Sequence, residues 1–435
     1  MRAQALSRRA AALRTALFGM ALLGLSGSPS VAQSTAPTGG QTLSGYGTSD
    51  NLETGDSVTE DLALDDQRID GVLSFPKAEE FFAPWFAWKK RLNDKHGLKL
   101  QFSYQSSHQW LDQSLGETNA AAARLQLQGS WTLLGRGSKN TGTLTFRLEN
   151  RTTLGTTLPP TSLAFQYGGI VPSGGFSDFG FALTELAWRQ SLLDGRFRFV
   201  FGKISALSWY NGHALSSSLR GFQNLAMQSS LTKPSPGRGI GGGFAYEFSP
   251  QFGMVAGIHD ANAKTADNPF DTIGEGEFYK SIEFRYWPTT RDRRRWDVVR
   301  LQFWHQDELE AKGTPSGHGV TFLASRLYDD KWFPFLIAGY SDGNASLMKK
   351  DVTAGLGIAI DTQHRAARDV FGVAVSWGEP SNPLLREQIT SEVFYRFTLV
   401  QNVVITPSVQ WVKNPAATAA FDEVLTAGLR LRVTF

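Results

Sequence analysis

The chain is read as all-β: an antiparallel, membrane-spanning β-barrel of about sixteen strands. Three observations point there. In Glu423–Phe435, Leu425, Ala427, Leu429, Leu431, Val433 and Phe435 share one parity, while Thr426, Gly428, Arg430, Arg432 and Thr434 share the other. Successive side chains leave a strand on opposite faces, so this is a strand with one apolar and one polar side. An aromatic last residue is the common ending of a bacterial outer-membrane barrel, whose final strand closes the sheet. Similar alternation recurs from residue 98 onward, and the connections between the alternating segments are short and long by turns.

Residues 1–32 are read as a secretory leader. Arg2, Arg8, Arg9 and Arg14 precede the apolar run Ala16–Leu25, and Ser30-Val31-Ala32 is a small-residue cleavage pattern. Such a run is too short to cross a bilayer as a helix. Without those four arginines, 39 of the 43 basic residues remain against 40 acids, so the mature chain is near neutral. A near-neutral chain argues against a nucleic-acid partner. Residues 33–80 form an acidic arm. Asp50, Glu53, Asp56, Glu60, Asp61, Asp65, Asp66 and Asp70 face Arg68 alone, without apolar periodicity, and a disordered, solvated periplasmic tail is expected. Over residues 81–97, Phe82, Trp85, Phe86, Trp88 and Leu92 fall at helical spacing beside Lys89, Lys90 and Arg91, which predicts a short amphipathic helix ending at Gly97.

The barrel proper is expected over 98–435. Alternating segments fall near 98–108, 121–134, 141–150, 181–192, 196–204, 237–248, 251–260 and 277–287. They continue near 296–306, 317–328, 332–341, 351–362, 368–378, 387–398, 403–413 and 423–435. Each has about the length a tilted strand needs to cross a bilayer. Every second connection is short, among them Gly135–Asn140, Leu193–Gly195, Ser249-Pro250 and Asp329–Lys331, while 151–180, 205–236 and 261–276 are long. Short periplasmic turns alternating with long outer loops, and an even strand count, are the rule for bacterial barrels. Mean hydropathy is negative and no second long apolar run exists, which excludes a helical membrane protein. The 30 Phe, 12 Trp and 10 Tyr suit aromatic girdles, and the absence of cysteine excludes disulfides, thiol nucleophiles and thiolate metal sites.

Leu125, Leu127 and Trp131 oppose Arg124, Gln126 and Gln128; Leu144, Phe146 and Leu148 oppose Thr145, Arg147 and Glu149; Val393, Tyr395 and Phe397 oppose Glu392, Arg396 and Thr398. A charge on the lipid face costs about 2–4 kcal/mol at mid-depth, so the charged parity must line the interior. About sixteen strands enclose an interior too wide for side chains alone to fill. Individually each charge is explained by a lumen ion pair; together, mixed Arg, Glu, Gln and aromatic groups suit a neutral polyhydroxylated solute. Arg124, Arg147, Glu149, Glu185 and Arg189 share the lumen parity of consecutive early strands and are the expected polar contacts of a constriction, with the loops at 151–180 and 205–236 best placed to fold inward. Trp209 and Tyr210 offer either a stacking face or loop packing.

The closing region resembles the OprB family of carbohydrate-selective porins. The resemblance rests on Glu392-Val393-Phe394-Tyr395-Arg396-Phe397, Ile405-Thr406-Pro407-Ser408-Val409-Gln410, Asn414-Pro415-Ala416 and Gly428-Leu429-Arg430-Leu431-Arg432 in succession. Looser matches are Trp88–Gly97 before the first strand and Phe222-Gln223-Asn224 with Pro236-Gly237. The chain departs from the family in its long acidic arm and in Trp88-Lys89-Lys90, where the family usually shows Trp-Gly-Gly. The resemblance implies a sixteen-stranded outer-membrane porin that passes mono- and disaccharides through a narrow constriction lined by Arg and Glu. Small neutral sugars and outer-membrane lipid are then the partners, no cofactor or metal is expected, and trimer and monomer both stay open. A general diffusion porin for small hydrophilic solutes is the alternative.

Other motifs are set aside. Gly237-Arg238-Gly239-Ile240-Gly241-Gly242 matches a dinucleotide fingerprint by letter, but a strand follows it rather than a helix. The seven histidines show no metal-ligand spacing. Ser106, Ser107 and His108 lack an assignable partner for an outer-membrane phospholipase, so an enzyme is not expected. Arg291, Arg293, Arg294 and Arg295 fall in a periplasmic turn, either solvated or touching inner-leaflet headgroups or peptidoglycan.

Overall fold

The computed structural model describes residues 53, 55–65, 71–73 and 76–435 apart from 361, 364, 365 and 368. The leader at 1–32 and most of the acidic stretch lie outside them. Sixteen antiparallel strands close into one barrel. They are β1 (Leu98–Leu111), β2 (Asn119–Leu134), β3 (Gly142–Thr153), β4 (Gly180–Leu192), β5 (Phe197–Ile204), β6 (Gly239–Glu247), β7 (Phe252–Asp260) and β8 (Phe278–Tyr286), followed by β9 (Val298–Gln306), β10 (Gly317–Ser325), β11 (Trp332–Ser341), β12 (Met348–Ala359), β13 (Val370–Pro380), β14 (Gln388–Val400), β15 (Val403–Lys413) and β16 (Glu423–Thr434). Each strand pairs with its sequence neighbours, and β1 pairs with β16 from Ser103↔Thr434 to Leu111↔Thr426. Closure leaves no edge, which a sheet in hydrocarbon requires, since unpaired backbone groups find no water there. Among the described residues no helix is long and apolar enough to cross a membrane.

Burial inverts the soluble pattern. Arg124, Gln126 and Gln128 are buried while Leu125, Leu127 and Trp131 are exposed. The apolar parity therefore faces outward and the charged parity inward, as the alternation predicts. Leu186, Phe201, Leu301 and Phe303 continue the exposed apolar surface. At the short-turn end Asp329 and Asp330 both take positive φ, 52° and 51°, a twist that suits a tight hairpin.

Helix α1 (Val58–Asp65) differs from the expected disordered arm. Its described part is ordered and its Glu60, Asp61 and Leu62 are buried. The reason is charge: arginines inside the barrel compensate carboxylates that the local sequence leaves unpaired. Helix α2 (Pro76–His96) starts five residues earlier than the amphipathic pattern predicts and stops at Gly97, whose φ of 70° few other residues adopt. It meets the barrel seam: Lys89 Nζ donates to the Phe435 carbonyl oxygen at 2.9 Å, and the Phe82 and Phe435 rings lie 5.5 Å apart.

The long connection 205–238 runs through the interior, and almost all of its residues are buried. Backbone N–H and C=O groups inside a barrel must find partners, and wall charges supply them. Asn211 N donates to Glu283 at 2.6 Å, Leu231 N to Asp351 at 2.5 Å, and Gln223 N and Asn224 N to the two oxygens of Glu392 at 2.8 and 2.7 Å. Arg430 donates to the carbonyls of Ser218 and Gly221 at 2.6 and 2.7 Å. Phe222, against Phe394 at 4.9 Å and Phe335 at 5.6 Å, anchors the loop's apolar core. Loop 154–179 joins it through a bridge between Ser173 and Asn224.

Candidate functional site

Strands β2 and β4 meet the inward loop at Ala122 and Glu185, which touch Leu219 and Arg238, and β3 lies between them. Strand pairing sets Gln128 opposite Arg147, and Arg124 opposite Arg151. On β4 the alternation breaks: Thr184 and Glu185 are both buried, and the register shifts between Arg147 and Leu148. This bulge places two consecutive residues on the lumen side and sets Glu185 opposite Arg147 in the strand register.

All five residues expected from the sequence converge here. Arg124 pairs with Glu149, whose second oxygen accepts from Arg151 Nη2 at 2.7 Å. Arg147 donates through Nε to Gln128 Oε1 at 2.9 Å. Arg189 donates through Nη2 to Glu185 Oε1 at 3.0 Å and through Nε to Thr145 Oγ1 at 3.0 Å. The other Glu185 oxygen accepts from Arg238 Nη1 at 3.1 Å. Arg124 and Arg147 are fully enclosed.

Sequence reasoning missed four contributors. Arg151 shares the parity of Arg147 and Glu149 and was legible, but it sits at the strand's end. Arg238 lies inside the glycine-rich stretch set aside as a strand start. Arg220, on the inward loop, carries no periodic signal. The fourth is the acidic segment itself. Asp61 accepts from Arg147 Nη2 at 3.0 Å and pairs with Arg220; Glu53 pairs with Arg189; Glu60 sits 2.8 Å from Arg295 Nη1. The Asp56 side chain accepts from Ser217 Oγ at 2.6 Å, and its carbonyl accepts from Arg147 Nη1 at 2.7 Å and Arg238 Nη2 at 3.1 Å. Burial opposes ionisation of Asp61, but Arg220, Arg147, Arg432 and Arg124 outweigh it and hold the carboxyl below its ordinary value.

Trp209 and Tyr210 are buried in the loop's packing and offer no free stacking face. Tyr210 lies edge-on to His259 with centroids 5.8 Å apart, close over Gly257, where a Cβ would come within 2.5 Å of the Tyr210 hydroxyl. The arginine turn is likewise not simply solvated. Arg294 is buried, 2.9 Å from Glu247 and over the Trp287 ring, and Arg198 and Arg291 also pair with that buried carboxylate.

Residues 308–435 match the family model described as carbohydrate-selective porin, OprB family. No curated protein matches the chain significantly in sequence. Among solved structures the chain is similar to OprB of Pseudomonas putida at high pH, with a TM-score of 0.66 and 16% identity over 81% of this chain and 97% of that one. Against OprB of Pseudomonas putida at low pH the TM-score is 0.50, with 14% identity over 81% of this chain and 96% of that one. At such identity the likeness is one of fold. The family match spans β10 to β16, and the closed sixteen-stranded barrel shares the fold of the Pseudomonas putida OprB structure.

Proposed function

We propose that the protein is an outer-membrane porin for passive diffusion of small neutral sugars, mono- and disaccharides, through the constriction between β2–β4 and the inward loop. The carrying observation is the paired arrangement of Arg124, Arg147 and Arg189 with Glu149 and Glu185 on consecutive strands of a lumen narrowed by residues 205–238. Guanidinium groups present paired donors to vicinal hydroxyls and carboxylates accept from them, each charge-assisted bond contributing about 1.5–3 kcal/mol. The exposed apolar parity supports a lipid-embedded wall, and the bacterial outer membrane is where porin-fold barrels function. The match of 308–435 to a carbohydrate-selective family supports sugars as the solute.

Liposome swelling tests the reading. Glucose is expected to enter faster than an amino acid of equal size. Equal rates would make the protein a general diffusion porin, the alternative that the same fold supports.

A further inference from the structure

The barrel's own charges at the constriction do not balance. Among the described residues, Arg124, Arg147, Arg151, Arg189, Arg220 and Arg238 converge with Glu149 and Glu185 from the barrel, an excess of four positive charges. The missing negative charge comes from the segment before the barrel: Glu53, Asp56 and Asp61 enter the ring, and Glu60 pairs with Arg295 beside it. These contacts reach the wall at β2, β3 and β4 and also the inward loop at Ser217 and Arg220, so the segment sits between wall and loop, where a permeating solute must pass.

Resting on the porin reading, we propose that the arginine ring is a carboxylate-binding site occupied in cis by residues 53–65, a displaceable plug that restricts the pore and sets its ion selectivity. Two features make the plug displaceable. Helix α1 has eight residues, too few to be stable alone, and among the described side chains Val58, Leu62 and Ala63 are its buried apolar ones. Its remaining hold is ionic, and ion pairs taken out of water recover little beyond their desolvation cost. The ring also keeps spare donors: Arg124 Nε is buried without a hydrogen-bond partner among the described residues. With the plug seated, charges in the ring nearly cancel; with it withdrawn, the lumen is a positive ring, and charged rings decide which ions pass. A solute bearing carboxylates is the chemical class that the emptied ring takes.

The test compares the full chain with a variant carrying Glu53→Gln, Asp56→Asn, Glu60→Gln and Asp61→Asn in planar bilayers. The variant is expected to show several-fold higher single-channel conductance, a reversal potential shifted toward anions in a KCl gradient, and block by gluconate at concentrations that leave the parent unaffected. Unchanged conductance and reversal potential in a variant that keeps heat-modifiable migration would overturn the proposal. A second arm uses Asp56→Cys with Ser217→Cys, whose parent side chains touch, in a chain that has no cysteine of its own. Oxidation should lock the conductance low and reductant restore it; equal conductance in both states refutes the plug. Glucose swelling of the neutralised variant separates the two readings. Changed ion selectivity without glucose entry removes the sugar porin and keeps the plug, and the reverse result keeps the porin alone.

Discussion

Arg147 Nη2 donates to Asp61 Oδ2 at 3.0 Å, joining the middle of a barrel strand to a helix 86 positions earlier in the chain. Arg147 thereby serves three partners at once, Gln128 on the neighbouring strand and the Asp56 carbonyl and Asp61 carboxylate carried into the lumen from outside the sheet. The pair links the wall of the pore to whatever governs its opening.

Acid should release that link. Asp61 titrates below its ordinary 3.8 because Arg220, Arg147, Arg432 and Arg124 outweigh its burial, with Gln128 Nε2 also donating at 3.3 Å. A carboxyl whose pKa is depressed on docking contributes stability that is fully present above the undocked value and is lost as pH falls through the docked one. Conductance is therefore expected to be flat above about pH 4 and to rise as pH drops below it. The Asp61→Asn variant should lack this step. A wild-type channel whose conductance does not change through that range would dismiss Asp61 as the anchor.

Separate substitutions Arg147→Gln and Glu149→Gln should each weaken sugar block of the current by about tenfold, the equivalent of one charge-assisted hydrogen bond. Barrel assembly should persist, since lumen substitutions tune selectivity more than stability. Current-noise measurements with added glucose or maltose check this. Unchanged block in both variants would leave these residues as structural lumen charges.

Glu392→Ala should loosen the inward loop. Its carboxylate accepts from Gln223 N and Asn224 N at 2.8 and 2.7 Å. Leaving buried N–H groups unsatisfied costs about 1–3 kcal/mol each. Limited proteolysis within 205–238 is expected in the variant under conditions that leave the parent intact, with β-rich circular dichroism unchanged. Equal protection would show that Phe222 and Asp351 hold the loop without Glu392.

Deleting Phe435 should slow assembly. Its N–H donates to the Phe102 carbonyl at 2.7 Å, Phe102 N returns a bond at 3.2 Å, and its ring fills the corner with Phe82. Both backbone bonds lie at the β1–β16 seam that closes the sheet. Heat-modifiable migration after refolding into detergent measures the folded fraction, which should fall in the truncated chain. An equal yield would reduce Phe435 to girdle packing.

Alternation by itself determined the strands, because the two-residue period is local and each strand carries its own apolar and polar face; all sixteen segments appear within a few residues of where the pattern put them. It also determined the lumen parity of Arg124, Arg147 and Glu149, since a charge on the lipid side is too costly to tolerate. Tertiary structure alone decided the rest. The β4 bulge at Thr184-Glu185 depends on the register against β3, which no single strand encodes. The path of 205–238 depends on partners at Glu283, Asp351, Glu392 and Arg430, scattered around the closed wall. The acidic stretch looked like a solvated tail because its compensating arginines lie far along the chain, and only barrel closure brings Arg147, Arg189, Arg220 and Arg295 around one carboxylate-bearing helix.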